Sequence, residues 1–186
     1  MVSIVSLALP ILLSAVFVFI ASSIIHMVLP VHRNDFRQVP DEDNVLEALR
    51  RFKIAPGDYL LPYPQSPAAM KDPKFLAKRD KGPVVLMTVM PGGPPAMGMN
   101  LLLWFLNSVL VSIFAAYITS RALAPGAHYL EVFRFAGTTA FMGYSLALLQ
   151  QSIWYKKAWS TTIKVMADGL LYGLLTAGTF GWLWPA

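Results

Sequence analysis

LALPILLSAVFVFIASSIIHMVL, residues Leu7–Leu29, decides the fold class, because it contains no Asp, Glu, Lys or Arg. A helix needs about 20 apolar residues to cross the hydrocarbon of a bilayer, and this stretch supplies them. Three further stretches repeat the pattern: Leu101–Thr119, Phe133–Ile153 and Val165–Trp184, each with at most one fully charged side chain. The whole chain is 56% hydrophobic and 13% charged, with mean hydropathy +0.54. A soluble domain is about 45–50% apolar and about 25% charged. The difference excludes an ordinary water-soluble enzyme, and high hydrophobicity excludes a disordered chain. There is no cysteine, so disulfides, thiolate metal sites and cysteine nucleophiles are excluded too. The expected fold is an all-α integral membrane protein with four transmembrane helices in a compact bundle.

The first span is expected to be a retained helix rather than a cleaved signal peptide. Its basic residues, Arg33 and Arg37, follow the apolar run instead of preceding it. Pro10 falls in its first turn, where a missing N–H costs little. The three parts of the chain are then 1–29 (helix 1), 30–100 (a polar connection) and 101–186 (helices 2–4). With four spans, the 30–100 region and the Tyr155–Lys164 loop share one side. That side carries thirteen of the fifteen Lys and Arg residues, leaving Arg121 and Arg134 for the other. Basic residues collect in the cytoplasm, so both termini are expected outside and the large connection inside, in a bacterial inner membrane. Trp104, Trp154, Trp159, Trp182 and Trp184 all fall at span edges, the level that amphipathic rings prefer.

Contact between helices in lipid needs small residues that let backbones approach. Gly169, Gly173, Ala177 and Gly181 recur every four residues in the last span. Ala136, Ala140, Gly143 and Ala147 follow a 4, 3, 4 spacing in the third. Ser108, Ser112, Ala115 and Thr119 do the same in the second, with Asn107 beside them. These stripes are read as packing faces within the bundle. Association with other membrane subunits or a second copy of the chain is the other use such faces have.

The 30–100 region holds eleven of the fourteen prolines, so most of it is turn and loop. Asp41–Lys53 is the exception: Val45, Leu46, Leu49 and Phe52 share one helical face. Acidic residues sit at its start and basic ones at its end, as the helix dipole favours, with Glu47 and Arg51 spaced to pair. Val84–Val89 reads as a short strand that Asp58–Leu61 can join as a hairpin. Lys71–Lys81 reads as a solvated loop. Its charges are mixed and only Phe75 is interleaved as an aromatic, so no nucleic-acid surface is expected.

Chemistry-bearing residues are few. His26 and His32 flank one end of the first span while His128 lies in the opposite loop, so no three-histidine metal site is expected, and no cofactor. Met87, Met90, Met97 and Met99 in MTVMPGGPPAMGM are read as packing residues. Gly92 and Gly93 are flanked by prolines and do not open a phosphate-binding helix. No paired acids, catalytic triad or zinc spacing is present. Asp168 is the most informative residue, since a carboxylate at membrane depth costs a few kcal/mol and marks function or a specific partner. Two settings are open to it: pairing with Lys164 at headgroup level, or facing the bundle near His26 or Asn107. Arg134 is expected to pair with Glu131 or to snorkel. The candidate functional polar residues are therefore Asp168, His26 and Asn107. The function expected from this inventory is non-catalytic, an accessory or scaffolding subunit of a larger membrane complex. The alternative is a small oligomeric transporter or channel using Asp168 and Asn107.

Overall fold

The computed structural model describes residues 2–186. In chain order its elements are α1 (Ala8–Ser23), α2 (Glu42–Arg51), β1 (Gly57–Leu61), α3 (Pro73–Lys81), β2 (Val85–Val89), α4 (Met97–Ala122), α5 (Tyr129–Ser145), α6 (Leu149–Ile153) and α7 (Trp159–Trp182). The chain divides into two compact units, Met1–Phe36 with Ala96–Ala186, and Arg37–Pro95.

The first unit is all helix. Three of its helical stretches are long and apolar enough to cross a membrane: Val5–Val28, Met97–Ala122 and Tyr129–Ile153. α4 alone, at about 1.5 Å per residue, is longer than a hydrocarbon core of about 30 Å. α1 packs on α4 and α7, and α5 packs on α4 and α7, so the four close into a ring. The arrangement of residues is inside-out relative to a water-soluble bundle. On α4, Leu102, Leu103, Leu106, Leu110 and Phe114 face outward, whereas Ser108, Ser112, Ala115 and Thr119 are buried. Large apolar chains turned outward are what lipid requires, and small ones inside let the helices close up. The buried serine hydroxyls are satisfied locally, whereas that of Thr119 has no partner among the described residues. Ser14 of α1 donates to Pro10 O at 2.7 Å, and its Oγ lies 3.0 Å from that of Ser112 on α4.

The closest contact in the unit is α5 against α7, and glycine makes it. A Cβ on Gly173 would stand 3.2 Å from the backbone of Gly137 and Phe141. Gly137 in turn faces the methyl group of Ala177, Gly181 lies under the Tyr129 ring, and Gly169 meets Ser145. The whole four-residue stripe of α7 thus lies on α5. The small residues of α5 are divided among its neighbours. Gly143 faces Val111 of α4, Ala136 and Ala140 are buried in the bundle core, and Ala147 is exposed. Gly137 takes the place opposite α7.

Helix boundaries differ from the sequence reading: α4 runs Met97–Ala122 rather than Leu101–Thr119, and the third and fourth spans differ more. The third span begins at Tyr129 and is not continuous. Ser145 leaves helical geometry (φ −125°, ψ −48°), a 3-10 turn runs through Leu146–Leu148, and α6 resumes. The break falls where Ser145 packs on Gly169 of α7 with no room for a Cβ between them, and the Ser145 hydroxyl turns to Met166 O at 3.4 Å. α7 begins at Trp159, so residues expected in a loop, Lys164 among them, lie on the helix.

The second unit carries a two-stranded antiparallel sheet, with β1 and β2 in register from Gly57↔Val89 to Leu61↔Val85. Thr88 closes the pair by donating to Asp58 at 2.6 Å. α2 is amphipathic, but its ion pair joins Glu47 to Arg50 at 3.2 Å rather than to Arg51. Lys71–Lys81, expected as loop, is mostly α3. Asp72 caps it by accepting from the Lys74 N–H at 2.8 Å, Pro73 opens it and Gly82 (φ +61°) ends it. Those terminal signals are sufficient for a short helix without an apolar stripe.

Candidate functional site

The site forms where α1 ends. Apolar sequence carries α1 into a π-helical turn, Ile24–Val28, closed by the Leu29 N–H to Ile24 O bond at 3.0 Å. Leu29 precedes a proline and so is extended (φ −82°, ψ 144°). Pro30 then opens a 3-10 turn, Pro30–His32, which reverses the chain. The reversal lays the His32 ring parallel to that of His26, with centroids 4.5 Å apart and 5° between planes.

His32 joins two carboxylates. Its Nδ1 lies 2.6 Å from Asp35 Oδ2 and its Nε2 lies 2.9 Å from Asp168 Oδ2. Both bonds can be made to ionised carboxylates only if both ring nitrogens donate. Lys164 completes the group, donating to Asp35 Oδ1 at 3.0 Å and to Val31 O at 2.8 Å. The His32 bond, assisted by Lys164, holds the Asp35 carboxyl below its usual value of 3.8 against the opposing effect of burial. Asp168 is 8% exposed and stands about two and a half turns inside α7. It is therefore bonded to His32, and the headgroup-level pairing with Lys164 is replaced by one between Lys164 and Asp35.

His26 is turned back on its own helix, with Nδ1 3.0 Å from Ser22 O. Ser22 also accepts from the indole N–H of Trp104 at 2.8 Å, which ties α1 to α4. Trp104 lies edge-on to Tyr172 at 6.0 Å, and Tyr172 edge-on to Tyr144 at 5.4 Å. These rings wall a cavity of about 640 Å³ that all four long helices line. Ser22, His26, Asn107, Asp168 and Tyr172 supply its polar surface, and Leu101, Leu148 and Val165 part of its apolar surface. The Tyr172 hydroxyl is buried and has no hydrogen-bond partner among the described residues.

The three sequence candidates, Asp168, His26 and Asn107, thus border one cavity. Asn107 is exposed. The sequence reading missed the direct partner of Asp168, His32, and the role of Asp35. The available signal was their i, i+3 spacing directly after a span closed by Leu29-Pro30. His128 lies apart, as the N-cap of α5, in a capping box with Glu131. Glu131 is engaged in that cap, and Arg134 is exposed. Chemically, the site offers a buried carboxyl, two imidazoles, the buried Tyr172 hydroxyl and room for a small molecule. No protein family, no curated protein and no solved structure matches this chain.

Proposed function

We propose that this chain is a four-span integral membrane protein, with α7 as the fourth span, that binds a small polar or cationic solute in the cavity at the mouth of the bundle. The observation that carries the reading is Asp168, buried on α7, bonded to His32 and bordering a cavity with an unsatisfied phenol. An ionisable group at that depth is retained against a cost of a few kcal/mol, and a structural headgroup pair with Lys164 does not account for it. α7 falls short of the apolarity of the other three because of Lys164, Asp168 and its glycines and threonines. Those small residues lie on the face that packs, so its outward residues, such as Leu170, Leu171 and Leu174, still suit lipid. The Lys and Arg asymmetry puts the cavity mouth on the cytoplasmic side of a cell membrane. The small-residue stripe of α7 is occupied by α5 and offers no free face to a partner subunit. The solute-binding reading is therefore favoured over the accessory-subunit one.

The chain has no cysteine, so single-cysteine labelling tests the reading directly. Asn107→Cys lies ten residues into α4, about 15 Å along it, and borders the cavity. A charged maleimide is expected to label it at least tenfold faster than Leu110→Cys, which faces lipid. Equal, negligible labelling of both would show a dry cavity closed to polar solutes and would overturn the reading.

A further inference from the structure

We infer that His26, His32 and Asp168 form a binding site for a divalent first-row transition metal ion. This names the class of solute for the cavity described above and rests on that reading. One ring nitrogen of each histidine and one oxygen of Asp168 lie within 4.8 Å of one another. The ligand set, two imidazoles and one carboxylate, matches the borderline donor preferences of zinc, iron(II) and their neighbours. It suits calcium or magnesium poorly, since these take oxygen.

Proximity alone would not make a site; the bonds behind the ligands do. A metal-bound histidine fixes its other ring nitrogen by donating to a carboxylate or a backbone carbonyl. Both histidines have that arrangement. His32 Nδ1 faces the Asp35 carboxylate at 2.6 Å, and His26 Nδ1 faces Ser22 O at 3.0 Å. In each ring this leaves Nε2 as the ligating atom. Asp35 is itself held by Lys164, so the support extends one residue further. In the metal-free state a proton lies between His32 Nε2 and Asp168 Oδ2, 2.9 Å apart. A metal ion takes that proton's place, which releases it to solvent. The parallel stack of His26 on His32 must open for both rings to aim at one ion. His26, the exposed member of the pair, is the ring with room to swing. Three protein ligands leave coordination positions open, as in sites where metal is exchanged or acts on a substrate rather than holding a fold. The buried, unpartnered Tyr172 hydroxyl in the same wall is a donor for a water or anion on the ion.

The test uses the full chain in mild detergent, with a tag that contains no histidine, stripped of metal by chelator and titrated with Co2+. One Co2+ per chain is expected, with visible absorption bands of a nitrogen- and oxygen-ligated ion, displaced by Zn2+. His26→Gln removes a ligand at an exposed position and leaves the fold intact; it should weaken binding at least tenfold. Asp35→Asn should weaken it by about 10–100-fold, as loss of a supporting partner does, while leaving the stoichiometry at one. Absence of a stoichiometric site overturns the proposal, as does binding that is equal in wild type and His26→Gln. If Asn107→Cys labels readily and no Co2+ binds, the metal inference falls while the solute cavity stands. If Co2+ binds and Asn107→Cys stays unlabelled, the metal site stands and the open cavity falls.

Discussion

Exchanging one methyl group across the α5–α7 contact provides a quantitative test of the bundle. In Gly137→Ala, the new Cβ would stand 2.7 Å from the Ala177 Cβ. Carbon atoms rest about 3.5–4.0 Å apart, so the two helices must separate by about 1 Å. That gap loosens every contact along the stripe from Gly169 to Gly181, and a gap of 0.5–1 Å forfeits about a quarter to a half of each contact's attraction. Overpacking of this kind costs about 1–3 kcal/mol. Helix propensity returns about 1 kcal/mol for Gly→Ala, leaving a net loss of about 0–2 kcal/mol. Ala177→Gly alone loses about 1 kcal/mol of propensity and a few packing contacts. If the effects were independent, Gly137→Ala/Ala177→Gly would lose about 1–3 kcal/mol. In the contact described, the double variant moves the methyl from one helix to the other and removes the overlap, while the two propensity terms cancel. It should lie within about 1 kcal/mol of wild type, the coupling being the relieved overlap of about 1–3 kcal/mol. Reversible unfolding in mixed micelles, followed by circular dichroism, measures all four corners of the cycle. Additivity within about 0.5 kcal/mol would mean that Gly137 and Ala177 do not touch, and the α5–α7 register described above would be wrong.

The remaining predictions concern topology and the polar cluster. A reporter fused after Ala186 should read as external and one inserted near Lys71 as cytoplasmic; the reverse at both positions would invert the orientation drawn from the charge asymmetry. Asp168→Asn keeps a hydrogen-bonding group opposite His32 and should lose about 1–3 kcal/mol. Asp168→Leu should lose more, because it leaves the Nε2 of His32 without a partner. Equal stability of both variants and wild type would refute the buried bond. Cavity labelling of Asn107→Cys and Co2+ titration complete the set.

The helices were legible because their signal is one-dimensional. Length, apolarity and tryptophan placement locate α1, α4 and α5 without reference to neighbours. The α2 face and the β1–β2 pair were readable for the same reason, from periodicity over a few residues. What could not be read was whatever depends on a second element. The break at Ser145 lies against Gly169 of a different helix. α7 starts early because its polar first turns contain Lys164, which turns toward Val31 and Asp35; by composition alone these turns resemble a loop. α3 carries only end signals, and mixed charge concealed it. Asp168 was marked by its chemistry, but its partner lies 136 positions away, and no local pattern links the two.

The cluster also accounts for how a bundle of lipid-facing helices keeps a carboxylate inside. Asp35 and Asp168 bring two negative charges. Lys164 brings one positive charge, and His32 would bring a second if both its ring nitrogens donate, which would make the group neutral as a whole. An isolated ion in hydrocarbon is expensive, but alternating charges bonded at 2.6–3.0 Å spread that expense over four residues. They also anchor it at the end of the bundle, where Lys164, its side chain 34% exposed, still reaches water. The neutrality is conditional. Removing the charge of any one member leaves an excess of one sign among the other three. A divalent ion between the His rings and Asp168 adds two positive charges while expelling the proton of His32, a net gain of one. The added charge is best balanced by an anion or hydroxide on the open side of the ion, where the Tyr172 hydroxyl stands without a partner. The buried acid and the Tyr172 hydroxyl would then share one charge balance.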